Sequence, residues 1–320
     1  MRLRVHGGMQ KWGINYWDNY APVVNCISVL TLLAITKIRN LKLHSIGFVL
    51  EFPQAKLYVN MYMELPIGID PPDRGKRDYV LKLNKDLYGI NQASENWFET
   101  LKAGLNSRAF EQSYVDPCVF LRKDALFLVC VDDCIIVSKY SQIIEDLVDF
   151  FKNGPKNFIL THEGGIENYL GVEIKPLEGD TFELCQPYLI KKFLDLSYLP
   201  NSVKGYSRPA NKKLLSRDEN GPPQKHSWQY RSAVGMLSYL QGSTRPAISM
   251  ALHQCTRFSN DPRLVHERAV RKIGKYLSET AMRGIIYDPD KTQGIEYYVD
   301  ADFAGGWDRD DGQRTKMFLI

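Results

Sequence analysis

Residues 127–139, FLVCVDDCIIVSK, constrain the fold more than any other stretch of this chain. Two short apolar runs, rich in strand-forming residues, flank the adjacent carboxylates Asp132 and Asp133. Runs of this length bounded by a turn signal read as buried strands, and the spacing predicts a hairpin with the acidic pair in its two-residue turn. Burying one carboxylate is costly, and burying two neighbours is worse unless a cation compensates. Two readings are open. Asp is common in turns because it tolerates their dihedrals. A rigid turn between buried strands would also hold carboxylates where they can neutralise Mg²⁺ for phosphoryl transfer. A two-metal centre would take a further carboxylate from a neighbouring strand.

The surrounding periodicities predict an α+β chain. Residues 26–39 and 141–153 space apolar residues as amphipathic helices, and 92–109 places Trp97, Phe98, Leu101 and Leu105 on one helical face. Strands are expected over 41–50, 58–66, 80–85 and 118–139, then in NYLGVEIKP and DTFELCQ. PYLIKKFLDLSYL predicts a helix, 201–227 a linker or mobile loop, and three helices follow between 228 and 279 before strands around GIIYDP and IEYYVDAD. This order predicts two or three α+β units, as the length of 320 residues allows. Six cysteines show no CxxC or Cys/His zinc spacing and read as reduced, mostly buried thiols of an intracellular protein. The longest apolar run near the start, CISVLTLLAI, is too short to cross a bilayer, and the N-terminus carries no signal-peptide core. The net charge of +4 is compatible with a nucleic-acid partner without demanding one. Both ends are abrupt, as in a fragment of a longer reading frame.

Several motifs in order carry a resemblance. VHGGMQKWGINYWDNYAPVV, IGFVLEFPQA (46–55), LYGINQASENW (87–97), CVDD (130–133) and YLGVEI (169–174) are followed by YRSAVGMLSYLQGSTRPAISMALHQCTRFSNDPRLVHERAV and YYVDADFAGGW. The chain resembles the reverse transcriptase of copia-type LTR retrotransposons over essentially its whole length. The resemblance implies an α+β right hand of fingers, palm and thumb with an antiparallel palm sheet. An α/β connection and a truncated ribonuclease H-like segment would follow. It implies fingers and palm over 1–175, thumb and linker over 176–225, connection over 226–290 and the start of ribonuclease H over 291–320.

The implied activity is RNA-directed DNA polymerisation, a nucleotidyltransferase reaction with Mg²⁺ or Mn²⁺. RNA template, DNA primer and deoxynucleoside triphosphates would be the partners, in the cytoplasm and away from membranes. By position, Asp132 and Asp133 would hold metal, with Asp132 the principal ligand. Phe52 would stack below the incoming sugar and exclude a 2′-hydroxyl, Gln92 would touch nucleotide or template, and Arg2 would contact the triphosphate. Tyr169, Leu170 and Gly171 would lie in the segment that grips the primer end. Phe52 as an ordinary core aromatic and Gln92 as an ordinary helix-start residue stay open beside these roles. Asp300 would be the first acidic residue of a ribonuclease H centre; one strand with one or two acids cannot assemble that site, so no ribonuclease H activity is expected.

The departures matter more than the matches. Where the resembled family carries Asp in I-D-F-V-L-A-F-P-Q-A, this chain has Gly47, which has no side chain to bind metal. Metal binding is therefore expected to be weakened and catalysis to fall by several powers of ten. Glu51, four residues on, would share Gly47's face on a helix or a regular strand; only a bend near Phe52 and Pro53 leaves room for it to compensate. Cys130 stands for Tyr, Ala247 for Asp and Asn91 for a basic residue. The alternative to an impaired polymerase is an inert retrotransposon relic that at most binds nucleic acid.

Overall fold

Asn25 opens the first helix, its side chain accepting a hydrogen bond from the backbone N–H of Ile27, an N-cap role asparagine favours. The computed structural model describes residues 3–69, 79–178, 181–199, 205–210, 213–224 and 229–288. That first helix is α1 (Cys26–Ile38), followed by β1 (Lys42–Phe48), the one-turn helix α2 (Glu51–Gln54), β2 (Lys56–Glu64), β3 (Val80–Lys85) and α3 (Ala93–Asn106). Next come β4 (Glu111–Gln112), β5 (Val119–Arg122), β6 (Ala125–Cys130), β7 (Asp133–Ser138), α4 (Ser141–Asn153), β8 (Leu160–Gly164), β9 (Asn168–Tyr169), β10 (Val172–Pro176) and β11 (Phe182–Cys185). The chain continues through α5 (Pro187–Leu196), α6 (Tyr230–Ser243), α7 (Ser249–Thr256), α8 (Leu264–Glu279) and β12 (Ile285–Tyr287). Met1–Pro289 forms one unit and Asp290–Ile320 a second. The second unit lies outside the described residues, and with it Asp300 and the strand expected around IEYYVDAD; Arg2 lies outside them too.

A six-stranded antiparallel sheet, in the order β4-β5-β6-β7-β1-β8, forms the centre. Strands β6 and β7 are buried on both faces, which explains their continuous apolar sequence. Phe127, Val129, Cys134 and Ile136 join a core with Trp97, Leu101 and Leu105 of α3 and Ile144, Leu147 and Phe151 of α4. Their alternating neighbours Leu128, Ile135 and Val137 pack with Val29, Leu32 and Leu33 of α1 and with Tyr169, Val172, Phe182 and Leu184. Each fully buried side chain of this size contributes about 1.5–3 kcal/mol relative to exposure.

A second antiparallel sheet runs β12-β11-β10-β9, so the chain returns to β11 after its four C-terminal helices. Those helices share their own core around Phe193, Leu237, Leu240, Val270 and Ile273. Arg245, buried, donates from Nη1 to the carbonyls of Thr280 (2.7 Å) and Arg283 (3.3 Å) at the end of α8. A cation there meets the carbonyl-rich pole of the helix. The helices expected at 26–39, 92–109, 141–153 and 187–199 are present as α1, α3, α4 and α5. Among the described residues, no helix is long and apolar enough to cross a membrane.

Candidate metal centre

The hairpin between β6 and β7 places the acidic pair differently from the sequence expectation. Cys130 pairs with Asp133 across the ladder, so the two turn residues are Val131 and Asp132, and Asp133 is the first residue of β7. Val131 takes φ 54°, a left-handed conformation that a β-branched residue adopts only under constraint, at about 1–3 kcal/mol. The constraint is visible. Trp97 Nε1 of α3, 1% exposed, donates to the carbonyl oxygen of Val131 at 2.7 Å. The Phe48 N–H donates to the Asp132 carbonyl at 2.8 Å. The register follows from the core: pairing Val129 with Cys134 and Phe127 with Ile136 keeps both pairs on the α3/α4 side. Moving both carboxylates into the turn would rotate one strand out of that alignment.

Gly47 faces Asp133 across β1–β7 and Thr161 across β1–β8. A Cβ at position 47 would lie 3.1 Å from Thr161 Oγ1, 3.8 Å from Glu163 Oε1 and 4.0 Å from Asp133 Oδ1. The position expected to carry a metal-binding carboxylate therefore lies between Asp133 and Glu163. Desolvation raises the Asp133 pKa above the ordinary range first, and the charges of Asp132, Glu163 and Glu51 add to it. Among the described residues, no ion pair neutralises Asp132 or Asp133. Asp132 and Asp133 could hold a divalent cation between them; among the described residues, Glu163 and Glu51 do not join them in a set of three ligand atoms within 4.8 Å of one another. The donor set, all carboxylate oxygen, suits Mg²⁺ or Mn²⁺.

Glu163 was not legible in the sequence, because β8 itself was not. Its burial alternates weakly, with Leu160 its one fully buried residue and Thr161 and Glu163 exposed. The signal that could have exposed it is positional: Glu163 lies two residues beyond the partner of Gly47 on the adjoining strand and so shares its face. Glu51 is 4% exposed and accepts a 2.6 Å hydrogen bond from the Tyr88 hydroxyl. The bend expected near Phe52 is a left-handed Leu50 followed by α2, and Glu51 has this hydroxyl as a partner there.

The remaining predicted residues fall into two groups. Tyr169 ends β9, paired with Val172, and Leu170 and Gly171 form the β9–β10 turn at φ 50° and 75°. The Tyr169 hydroxyl donates to the Asp133 carbonyl at 3.3 Å, and the Tyr239 hydroxyl of α6 donates to the Leu170 carbonyl at 2.5 Å. The structure thus ties this turn directly to the acidic hairpin. Phe52 stands edge-on to Tyr88 at 4.9 Å between ring centroids. Gln92 precedes α3 and is buried, donating to the Asn15 carbonyl at 3.0 Å and accepting from Gln10 Nε2 at 2.9 Å. Its amide is engaged with the N-terminal segment. Nearby, Gly89 at φ 94° allows the approach of Val5, whose carbonyl oxygen would be 2.0 Å from any Cβ. The LYG motif is therefore the seat of the N-terminal segment.

A family model described as reverse transcriptase (RNA-dependent DNA polymerase) matches residues 1–208, and the chain belongs to that family. Within that family it is of the copia-type retrotransposon kind. It is 30% identical over its full length to the Retrovirus-related Pol polyprotein from transposon TNT 1-94 of Nicotiana tabacum, covering 24% of that protein. It is 28% and 26% identical, again over its full length, to the polyproteins from transposons RE1 and RE2 of Arabidopsis thaliana, covering 21% and 22% of them. The chain thus spans about a quarter or less of these relatives. A solved telomerase structure from Candida albicans aligns at a TM-score of 0.28 and 9% identity over 82% of this chain and 51% of that one, too distant to argue from.

Proposed function

We propose that this chain is the polymerase region of a copia-type retrotransposon, an RNA-directed DNA polymerase impaired at its metal centre. The observation that carries the reading is the rigid Val131–Asp132 turn with Asp133 facing Gly47 across the sheet. The six-stranded sheet with α3 and α4 serves as palm, the N-terminal segment and β2–β3 as fingers, and the helices from α5 onward as thumb and connection. In residue terms the fingers and palm run over 1–175, thumb and linker over 176–225, connection over 226–290, and a ribonuclease H start over 291–320.

Asp132 and Asp133 hold Mg²⁺ or Mn²⁺. Bound there, a divalent ion lowers the charge barrier between the primer 3′-hydroxyl and the triphosphate. Asp132 sits on the turn as principal ligand. Asp133, whose pKa is raised by burial first and by neighbouring acids second, would ligate beside it as the carboxylate. Phe52 packs under the sugar, Arg2 meets the triphosphate, Gln92 touches nucleotide or template, and the Tyr169–Gly171 segment carries the primer end. RNA template, DNA primer and deoxynucleoside triphosphates are the partners, and cytoplasmic particles the setting.

Gly47 removes one carboxylate from this centre, which supports weak metal binding and slow polymerisation. It equally supports the second reading, an inert relic that at most binds nucleic acid. Primer extension on an RNA template with Mg²⁺ or Mn²⁺ separates the two. Extension by Gly47→Asp, lost again on adding Asp132→Asn, supports a polymerase scaffold missing one ligand. Silence from Gly47→Asp in a folded chain supports the relic.

A further inference from the structure

A second group of metal-binding side chains lies on the other face of β1. Strand alternation turns His44 to the same side as Ile46 and Phe48, towards α4, whereas Gly47 points the opposite way. His162 of β8 pairs with Ile46 and joins it there. Glu145 comes from α4. His44 Nδ1 and His162 Nε2 are 2.8 Å apart, with the rings stacked at 5.0 Å between centroids and 29° between planes. His162 Nδ1 lies 3.7 Å from Glu145 Oε2. One donor atom from each of the three residues lies within 4.8 Å of the other two.

We propose that His44, His162 and Glu145 form a zinc site, separate from the Asp132–Asp133 centre and independent of the polymerase reading. Two imidazole nitrogens and one carboxylate oxygen match the borderline preference of Zn²⁺, with water in the fourth position. Mg²⁺, which demands oxygen ligands, is disfavoured. The two ring nitrogens need to separate only from 2.8 Å to roughly 3.3 Å, the spacing of ligands about 2.0 Å from a tetrahedral ion. The Glu145 side chain, 53% exposed, is free to swing inward as third ligand.

The donors come from three elements, of which β1 and β8 are already paired in the sheet and α4 packs against them from outside it. Strand β8 is the sheet edge, and a bound ion would clip it to β1 and α4. Because Glu163 follows His162 on that strand, the clip would also fix the acid that borders position 47.

The test uses the full chain, stripped with chelator and titrated with Zn²⁺ in excess Mg²⁺. Calorimetry should read one equivalent per chain, and Co²⁺ in place of Zn²⁺ should give the visible bands of a tetrahedral nitrogen–oxygen site. His162→Ala should abolish binding. Glu145→Gln, on an exposed helix position where folding is not at stake, should weaken it about 10-fold or more. Absence of Zn²⁺ binding overturns the proposal. So does binding unchanged in Glu145→Gln, or a Co²⁺ spectrum dominated by thiolate charge transfer, which would assign the metal to cysteine.

Discussion

Replacing Gly47 by Asp tests the gap in the acidic centre through stability alone. The backbone at 47 is extended and paired on both sides, so an L-residue fits its dihedrals. The new Cβ meets Thr161 Oγ1 at 3.1 Å, a contact that needs a small shift of a hydroxyl that donates to the Gly47 carbonyl at 3.3 Å. The larger effect is electrostatic, because Glu163 Oε1 and Asp133 Oδ1 lie 3.8 and 4.0 Å from that Cβ. Two like charges about 4 Å apart repel by about 4 kcal/mol at an effective dielectric of about 20. Solvent on the open side of the turn reduces this to about 1–2 kcal/mol. Without metal, Gly47→Asp should therefore melt roughly 2–8 °C below the parent. With Mg²⁺ at about 100 times its dissociation constant, binding to the folded state returns about 2.7 kcal/mol and reverses the order. Scanning calorimetry at pH 7.5, with chelator and with Mg²⁺, reads both numbers. An equal deficit in the two conditions would refute the reasoning and point to the Thr161 contact. An equal Mg²⁺ shift in parent and variant would refute it as well, because the parent would then lack nothing at position 47.

Three further outcomes follow from other contacts. Burial, against the opposing hydrogen bond from Asn96, raises Asp86 to about 6. The folded chain thus holds a proton that the unfolded chain releases near 4, and stability falls as pH rises between these values. Asp86→Asn should flatten that slope and raise stability above pH 6 by up to about 3 kcal/mol in chemical denaturation; an unchanged slope would refute the assignment. Trp97→Phe removes the donor to the Val131 carbonyl and should cost about 1–3 kcal/mol. In the Gly47→Asp background it should also slow primer extension more than a core Leu101→Val substitution of equal destabilisation. Glu163→Gln relieves one of the charges that raise Asp133, so the carboxyl resonance of Asp133 should titrate at lower pH in NMR than in the parent.

The central sheet and its helices were legible because β1, β6, β7, α1, α3 and α4 are long, strongly patterned and buried. The identity of the turn residues was not. Two adjacent aspartates are the obvious turn formers, and only the pairing of Val129 with Cys134 shows that Val131 takes the strained position instead. Strand β8 escaped because it is a short edge strand with one buried residue, and Glu163 and His162 escaped with it. The family motifs located Gln92 but not its hydrogen bonds to Gln10 and Asn15, which join residues about 80 positions apart. Such long-range polar contacts leave no periodic trace in a sequence. The missing carboxylate at 47 was legible, whereas the acid on the neighbouring strand that borders its place was not.

The most direct test of the account is a calorimetric titration of the unmodified chain with Mg²⁺, an ion that the histidine cluster disfavours, with Asp133→Asn as control. The account predicts one weakly held ion, lost in Asp133→Asn, and a second, tighter site only after Gly47→Asp. Tight binding of two ions by the unmodified chain would contradict it.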